Sequence, residues 1–426
     1  MKTNLRTAAL LAAGVVSAGS VSFAQEEAPM NPVNTALTAT TISGYVSTTA
    51  LFDLGSDEGG SVLPGRSFDG ADKMDKINLD VVKLTIERPL DEGDWAAGYK
   101  VDLLFGPDAN TYATSSYPMG ETTSDFGIKQ AYVALQTPLG NDLIAKMGVF
   151  DTVVGYEVFE SGNNPNYSRS YAYYIEPTQH TGLLLSYQVT EWLGINAGIA
   201  DSWNARINAP GVDQGAERDF GLQTYLGSLV VTVPDSAGFL AGTALYGGIV
   251  HGLGSDELQD GGPRTSYYAG VTIPTPVENL GVGFSFDYLS SEAYVGAGLP
   301  NQDRNARAFG GYVSYQLAKQ AKVSLRGEYA KGTSGTWVSE NAGAAFNDEL
   351  FGLTATLDYD LWANVLTRLE FRWDNDLSDG PGAFGGVSGG SYMPPLEGTS
   401  NGGNGGGGRE YKDNAYTIAL NFIYKF

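Results

Sequence analysis

A set of charged side chains stands at alternate positions in segments that otherwise alternate small and apolar residues: Lys83, Glu87, Lys100, Asp102, Lys146, Lys322, Arg326, Glu328, Arg368, Glu370 and Arg372. In an extended chain, residues two apart share a face, so each segment turns its charges to one side. The chemistry open to such an array is electrostatic: attracting, steering or excluding ions. Covalent chemistry is poorly supplied. The chain has no cysteine, which removes disulfides, thiolate metal ligands and Cys nucleophiles. Its two histidines are His180 and His251, and nothing places either beside a serine and an acid, as a triad requires. The stretch Asp374 to Gly380 resembles a calcium loop, but its glycine comes one place late and Gly385 stands where the closing glutamate belongs. The run Gly402 to Gly408 has no strand–helix context for cradling phosphate and reads as a surface tip. Asp-rich loops such as Asp53 to Gly60 read as solvated surface. No cofactor, metal or catalytic site is expected.

The elements that carry these charges are strands. Trp95, Ala97, Tyr99, Val101, Leu103 and Phe105 alternate with Ala96, Gly98, Lys100, Asp102 and Leu104. Val365, Thr367, Leu369, Phe371 and Trp373 oppose Arg368, Glu370, Arg372 and Asp374, and the chain ends on Tyr416, Ile418, Leu420, Phe422, Tyr424 and Phe426. About sixteen such segments are predicted, an even number as in bacterial barrels. They begin at Ile42–Phe52 and Ile77–Glu87 and include Gln130–Gln136, Leu240–Val250, Tyr267–Pro274 and Ala308–Leu317. Connections alternate short and long along the whole chain, for example Thr137 to Asp142, then Asp151 to Gln179, then Thr190-Glu191. A closed up-and-down barrel with tight turns at one rim gives that pattern; a β-sandwich has no reason to keep it. Trp95, Trp192 and Trp362 each follow a short turn, as in an interfacial aromatic girdle.

The apolar faces need burial in protein or lipid, and the charged faces need water, because each unpaired buried charge costs several kcal/mol. Lipid outside and water inside satisfies both. The expected fold is all-β: a transmembrane up-and-down antiparallel β-barrel of about 16 strands, with short periplasmic turns and long extracellular loops. Barrels of about this size leave an aqueous channel. Lys2 and Arg6, the apolar run Ala8 to Val16 and the small-x-small site Ser22-Phe23-Ala24 read as a signal peptide over 1–24. A periplasmic lead over 25–39 and the barrel over 40–426 follow. The net charge of −23, which removal of the signal takes to −25, argues against nucleic acid as a partner.

Inside the barrel the charge is uneven. Lys83, Lys100 and Lys146 fall on strands two to five, and Lys322, Arg326, Arg368 and Arg372 on strands thirteen to fifteen, which become near neighbours on closure. Strands six to twelve turn mainly Gly, Ser, Asn, Gln and Thr inward, a neutral wall. The third long loop carries Asp151, Glu157, Glu160 and Glu176, no lysine, and one arginine, Arg169. Folded inward, it would set acids against the basic wall and fix ion selectivity. Folded outward, it would leave the lysines and arginines to pair with Asp102, Glu328 and Glu370. The pore-lining candidates are thus Lys83, Lys100, Asp102, Lys146, Asp151, Glu157, Glu160, Arg326, Glu328, Arg368, Glu370 and Arg372. This array implies passive diffusion of small hydrophilic solutes and ions. The alternatives are a sugar-selective channel using Tyr132, Tyr171, Tyr173 or Tyr174, and a structural or adhesive barrel without transport. An outer-membrane hydrolase would need a nucleophile–base pair that the sequence does not supply.

The segment Lys146-Met-Gly-Val-Phe150, with Val154-Gly-Tyr-Glu157, Asn163, Asn166, Ser168 to Tyr174, Pro177 and His180-Thr-Gly182, resembles the β-barrel porins of the OmpL-like type over about the middle third of the chain. The last strand, ending at Phe426, resembles the C-terminal signal of outer-membrane proteins. The resemblance implies an outer-membrane channel, a homotrimer as many sixteen-stranded porins are, set in outer-membrane lipid and handed to the barrel-assembly machinery through its terminal strand. It names no solute.

Overall fold

Period-two alternation is met by strands along most of the chain. A computed structural model of the chain describes residues 40–55, 63–112, 114, 124–203, 205–211, 222–255, 262–293, 302–333, 336, 348–378, 383–384 and 412–426. The expected signal segment, the lead and the run Gly402 to Gly408 lie outside these residues. The strands are β1 (Thr41–Asp53), β2 (Lys76–Arg88), β3 (Ala96–Phe105), β4 (Phe126–Thr137), β5 (Leu143–Asp151), β6 (Gln179–Thr190), β7 (Leu193–Ala200) and β8 (Thr224–Thr232). They continue as β9 (Ala244–Leu253), β10 (Pro263–Pro274), β11 (Leu280–Ala293), β12 (Gln302–Ala318), β13 (Ala321–Gly332), β14 (Asp348–Trp362), β15 (Val365–Asp376) and β16 (Asn414–Lys425). Each pairs antiparallel with its chain neighbours, and β1 pairs with β16, so the barrel closes.

Closure uses the terminal residue. Gly44 and Phe426 exchange both backbone hydrogen bonds at 2.9 Å. The Phe426 ring lies over Gly44, where a Cβ would come within 2.7 Å of it. That close approach is open only to glycine.

Several strand boundaries differ from the periodicity: β4 and β10 each begin four residues earlier than expected, at Phe126 and Pro263. The alternation predicts a strand over Leu240–Val250, but β9 starts at Ala244, after a 3₁₀ turn at Asp235–Leu240. Gly238 and Gly242 there take φ of 65° and 79°, which breaks an extended chain. The stretch Ser290 to Asn305 reads as loop, yet β11 runs to Ala293 and β12 starts at Gln302. Their ladder continues through Ser291↔Arg304 and Ala293↔Gln302. Polar residues on both faces hide such a strand from a period-two search, and backbone pairing forms it regardless.

The outer wall is apolar: Leu135 and Leu369 are 51% and 50% exposed. Trp95, Trp192 and Trp362 are also exposed, at the rim of short turns. An apolar band this continuous suits lipid and is foreign to a soluble surface.

Among the described residues, parts of loops 1, 2 and 3 pack inside the barrel from the opposite rim. Loop 1 joins β1 to β2 and carries a 3₁₀ turn at Ala71–Lys73. Loop 2 joins β3 to β4 and carries α1 (Pro107–Tyr112). Loop 3 joins β5 to β6 and carries a 3₁₀ turn at Ser161–Asn163 and α2 (Tyr171–Ile175). Phe68 of loop 1, Tyr112 of loop 2 and Phe159 and Tyr173 of loop 3 pack together over Leu104. Val153, Val154 and Tyr156 pack on Leu184, Leu226, Val250 and Tyr268. The wall of strands six to twelve, expected to be small and polar, therefore carries an apolar patch under loop 3. Some of its glycines are sockets: a Cβ at Gly248 would come within 2.8 Å of Val154, and one at Gly283 would strike the Tyr156 hydroxyl.

Candidate functional site

A loop crossing a barrel interior has no ladder partners for its N–H and C=O groups, and each one left buried and unpaired costs ~1–3 kcal/mol. In loop 3 the side chains of β13 and β15 supply the partners. Arg368 donates to the carbonyls of Asn164 at 2.9 Å, Pro165 at 3.0 Å, Asn166 at 3.2 Å and also Ser161, while its Nε meets Asp358 at 2.7 Å. Arg326 donates to the Ser168 carbonyl at 2.6 Å and pairs with Glu157 at 2.9 Å and Glu328 at 3.1 Å. Arg372 donates to the Arg169 carbonyl at 2.7 Å and pairs with Asp374 at 2.8 Å. The acids serve the N–H groups. Glu370 accepts from Tyr167 at 2.6 Å and Ser168 at 3.0 Å, and Glu328 accepts from Tyr171 at 2.7 Å.

This corrects one expectation. Arg326, Arg368 and Arg372 do not face water; they are 1%, 0% and 0% exposed. The loop backbone takes the place of water, and the period-two alternation of sign in Arg326/Glu328 and Arg368/Glu370/Arg372/Asp374 matches its alternating acceptors and donors.

On the other side of loop 3 lies a cavity of about 330 Å³ against β2–β5. It reaches from Arg88 and Leu90 near the short turns to Tyr112 and Thr178 on the long-loop side. Of the expected pore-lining residues, Lys83, Lys100, Lys146, Asp151, Glu157 and Glu160 border it. Asp102 lies behind Lys83 at 3.2 Å with no exposure. Arg326, Glu328, Arg368, Glu370 and Arg372 belong to the clamp instead. Of the candidate sugar-stacking aromatics, Tyr132 and Tyr173 border the cavity, whereas Tyr171 is buried in the packing under the loop.

Lys129 also borders the cavity, between Asp151 and Glu160, the latter at 3.5 Å. Alternation along β4 hides it, because a bulge between Asp102 and Leu103 shifts the β3–β4 register. Below the bulge Gln130, Tyr132 and Ala134 point inward; above it Lys129 does. Loop-borne charges were also hidden: Arg66 pairs with Asp69 and with Asp374 at 2.7 Å, and Lys73 with Asp108 and with Asp80 at 3.2 Å. Only folded loops bring these groups together. The histidines lie apart: His180 is buried against Thr152 at 3.1 Å, while His251 meets Thr265 at 2.8 Å on the outer wall.

Burial pushes the Glu160 carboxyl up, but the Lys129 and Lys83 ammonium groups outweigh burial and hold it well below the usual range. It is an anion within a closed ionic cluster. Glu176, near the end of loop 3, is the reverse case. Burial, then the neighbouring Asp287 carboxyl, pushes it well above the usual range.

A family model described as "Putative beta-barrel porin-2, OmpL-like" matches residues 39–426. The chain belongs to this family and is an outer-membrane porin, a β-barrel channel protein. No curated protein matches the chain. Among solved structures it is similar to the outer membrane channel DcaP of Acinetobacter baumannii, at 12% identity over 91% of this chain and 97% of that one, with a TM-score of 0.54. An anion-selective porin from Comamonas acidovorans matches at 10% identity over 91% and 99%, with a TM-score of 0.53. OmpT of Vibrio cholerae, in a trimer form, matches at 12% identity over 91% and 99%, with a TM-score of 0.52. At these identities the likeness is one of fold.

The Glu176–Asp287 contact gives a pH dependence. Two carboxyls hydrogen-bond to each other only with a proton between them. The raised Glu176 value means that this stability is full below the ordinary carboxyl range and is lost as pH rises through the raised value. The melting temperature of the refolded barrel should fall as pH rises from the ordinary carboxyl range toward alkaline values, and Glu176→Gln should flatten that fall. Identical pH profiles for the two proteins would contradict the shared proton.

Proposed function

We propose that small hydrophilic solutes and ions cross this porin by passive diffusion along the β2–β5 wall, where loop 3 sets the constriction. The observation that carries this reading is the cavity bounded by Lys83, Lys100, Lys129, Lys146 and Asp151 on the wall and by Glu157 and Glu160 on the loop side. Its upper part is neutralised locally, with Glu160 2.5 Å from Lys83 and also beside Lys129. Discrimination between ions then falls to Lys100, nearer the short turns, whose carboxylate neighbours stand at 3.5 and 3.9 Å. Assembly as a homotrimer is part of the proposal and is supported by the trimer form of the Vibrio cholerae OmpT.

Refolded protein in planar bilayers should insert as open channels in steps of three equal levels. Lys100→Gln should shift the reversal potential in a salt gradient. Arg368→Gln should leave that potential nearly unchanged and raise the open-channel noise, because its side chain holds loop backbone and does not border the cavity. A folded barrel with no conductance would sink the channel reading in favour of a structural or adhesive barrel.

The same proposal includes a cleaved signal over 1–24, a periplasmic lead over 25–39, and recognition of the strand ending at Phe426 by the barrel-assembly machinery. Deleting Phe426 should leave the chain unassembled and protease-sensitive in the periplasm. Normal amounts of heat-modifiable, membrane-inserted protein from that deletion would count against it.

A further inference from the structure

The outer wall carries two cations that the channel does not use. Arg307 on β12 and Lys331 on β13 are register partners. Both turn outward, since Ala306, Ala308 and Ala330 beside them are the buried, inward residues of those strands. Side-chain contacts tie the group together. Glu349 of β14 accepts from Lys331 at 2.6 Å and from the Tyr329 hydroxyl at 2.7 Å. The exposed Arg307 guanidinium lies within electrostatic reach of Lys331, Tyr329 and Glu349. Two cations thus share one carboxylate. A lysine or arginine on the lipid face costs ~2–4 kcal/mol at the bilayer midplane and ~0–1 near its surface, so this row marks the membrane edge at the long-loop rim. Tyr267 and Tyr288 continue the row on β10 and β11, their rings 6.1 Å apart, as interfacial aromatics do. The exposed acids Glu292 and Asp303 stand opposite each other further out. Asp303 is about 14 Å of strand from Arg307, beyond the ~8–10 Å screening length of salt.

Below the cations, the same two strands are shaped for an apolar chain. Phe309 and Tyr329 form the next row, with ring centres 6.4 Å apart. Below them Gly311 and Gly327, again register partners, face outward, because Tyr312, Arg326 and Glu328 beside them are buried. Phe284 of β11 and Leu353 of β14 flank the two glycines and are exposed. A Cβ at Gly311 would stand 3.7 Å from Phe284, and one at Gly327 3.5 Å from Leu353. These are ordinary contact distances, so strand packing leaves room for a side chain at both positions. The outer wall therefore has a hollow two strands wide, walled by Phe284 and Leu353 and topped by Phe309 and Tyr329. Arg307 and Gly311 are separated by about 14 Å of strand, which puts the cations at headgroup level and the hollow in hydrocarbon.

We propose that Arg307 and Lys331 bind the phosphate of a phosphorylated lipid in the leaflet at the long-loop rim, with one acyl chain in the Gly311–Gly327 hollow. The guanidinium fork takes two phosphate oxygens. An ammonium has three donors; Glu349 engages Lys331 and so positions it, and its remaining donors serve the phosphate. Glu349 neutralises only part of the charge, which leaves the group positive toward an anionic headgroup. Free phosphate would leave the hollow unused, and a lipid without phosphate would leave the cations to water. A phosphorylated lipid satisfies both. The site lies on the outer wall and is independent of the diffusion reading.

The test uses monophosphoryl lipid A as probe, with monogalactosyldiacylglycerol (acyl chains, no phosphate) and inorganic phosphate (charge, no chains) as controls. Native mass spectrometry of the refolded full-length barrel in detergent counts retained lipid and reads the oligomeric state. The phosphorylated lipid should be retained at least about tenfold better than the galactolipid, and inorganic phosphate at equal concentration should not displace it. The double variant Arg307→Gln with Lys331→Gln should lower retention about tenfold, the order expected for two surface cations. Arg307→Lys should keep most of it. Gly311→Leu, which fills the hollow and keeps the charges, should lower retention about threefold. Oligomeric state and bilayer conductance should match the parent protein in each variant. Should the double variant fail to fold, Arg307→Gln alone gives the same readout. Undiminished retention in the charge variant, or galactolipid retained as well as the phosphorylated lipid, would overturn the cationic half of the site. Undiminished retention in Gly311→Leu, or displacement by inorganic phosphate, would overturn the acyl half. Loss of the oligomer in the charge variant would make this wall a contact between copies of the chain and overturn the lipid site.

Discussion

A polypeptide backbone cannot lie inside a barrel without partners for its amides, and loop 3 meets that requirement with guanidinium and carboxylate groups. Arg368 alone takes the carbonyls of Ser161, Asn164, Pro165 and Asn166. Glu370 and Glu328 take the N–H groups of Tyr167, Ser168 and Tyr171. The arginines are themselves paired, Arg326 and Arg372 with Glu328, Arg372 also with Asp374, and Arg368 with Asp358 of β14, so no guanidinium is left alone in a site from which water is excluded. Removing Arg368 would leave four backbone carbonyls without their donor, and removing Glu370 would leave two backbone N–H groups without their acceptor. Loops 1 and 2 lean on the same frame: Arg66 joins loop 1 to Asp374 of β15, and Tyr112 of loop 2 packs edge-on against Phe159 of loop 3 at 5.0 Å.

The passage follows from where that clamp sits. Pinned to β13–β15 by polar contacts and to β6–β10 by the packing of Val153, Val154 and Tyr156, the loop leaves its gap along β2–β5. The gap thereby inherits the lysines of that wall and the acids of the loop. Electrostatics is graded along it. Lys83 and Lys129 are consumed by Glu160 and Asp151, whereas Lys100 keeps only distant carboxylates. One wall of the barrel holds the gate element and the other offers chemistry to what passes.

The barrel was legible because its cause is local. Period two, a charge-free outer face and alternating connection lengths each follow from a closed sheet between lipid and water, and the ladder runs from β1 through β16 back to β1 as they require. The lumen was only half legible. Lys83, Lys100, Lys146, Asp151, Glu157 and Glu160 border the cavity as their alternation and loop position suggest. The arginines of β13 and β15 look the same in sequence as solvated charges, because water and loop carbonyls offer them the same hydrogen bonds. What distinguishes them is tertiary: the inward glycines Gly248 and Gly283 that receive Val154 and Tyr156, and the bulge that turns Lys129 inward. Neither has a periodic signature.

The central claim is that loop 3 is fastened to the far wall, and the absence of native cysteine makes a direct measurement available. The Asn166 amide donates to the Thr356 hydroxyl at 2.7 Å. In the double variant Asn166→Cys with Thr356→Cys, mild oxidation should give a disulfide in most molecules, detected by thiol counting and by a shift in gel mobility. Single-channel conductance should be the same oxidised and reduced, since the bond only repeats a contact already made. Failure of the pair to cross-link in the folded barrel would contradict the account, and so would a cross-link that sharply lowers conductance.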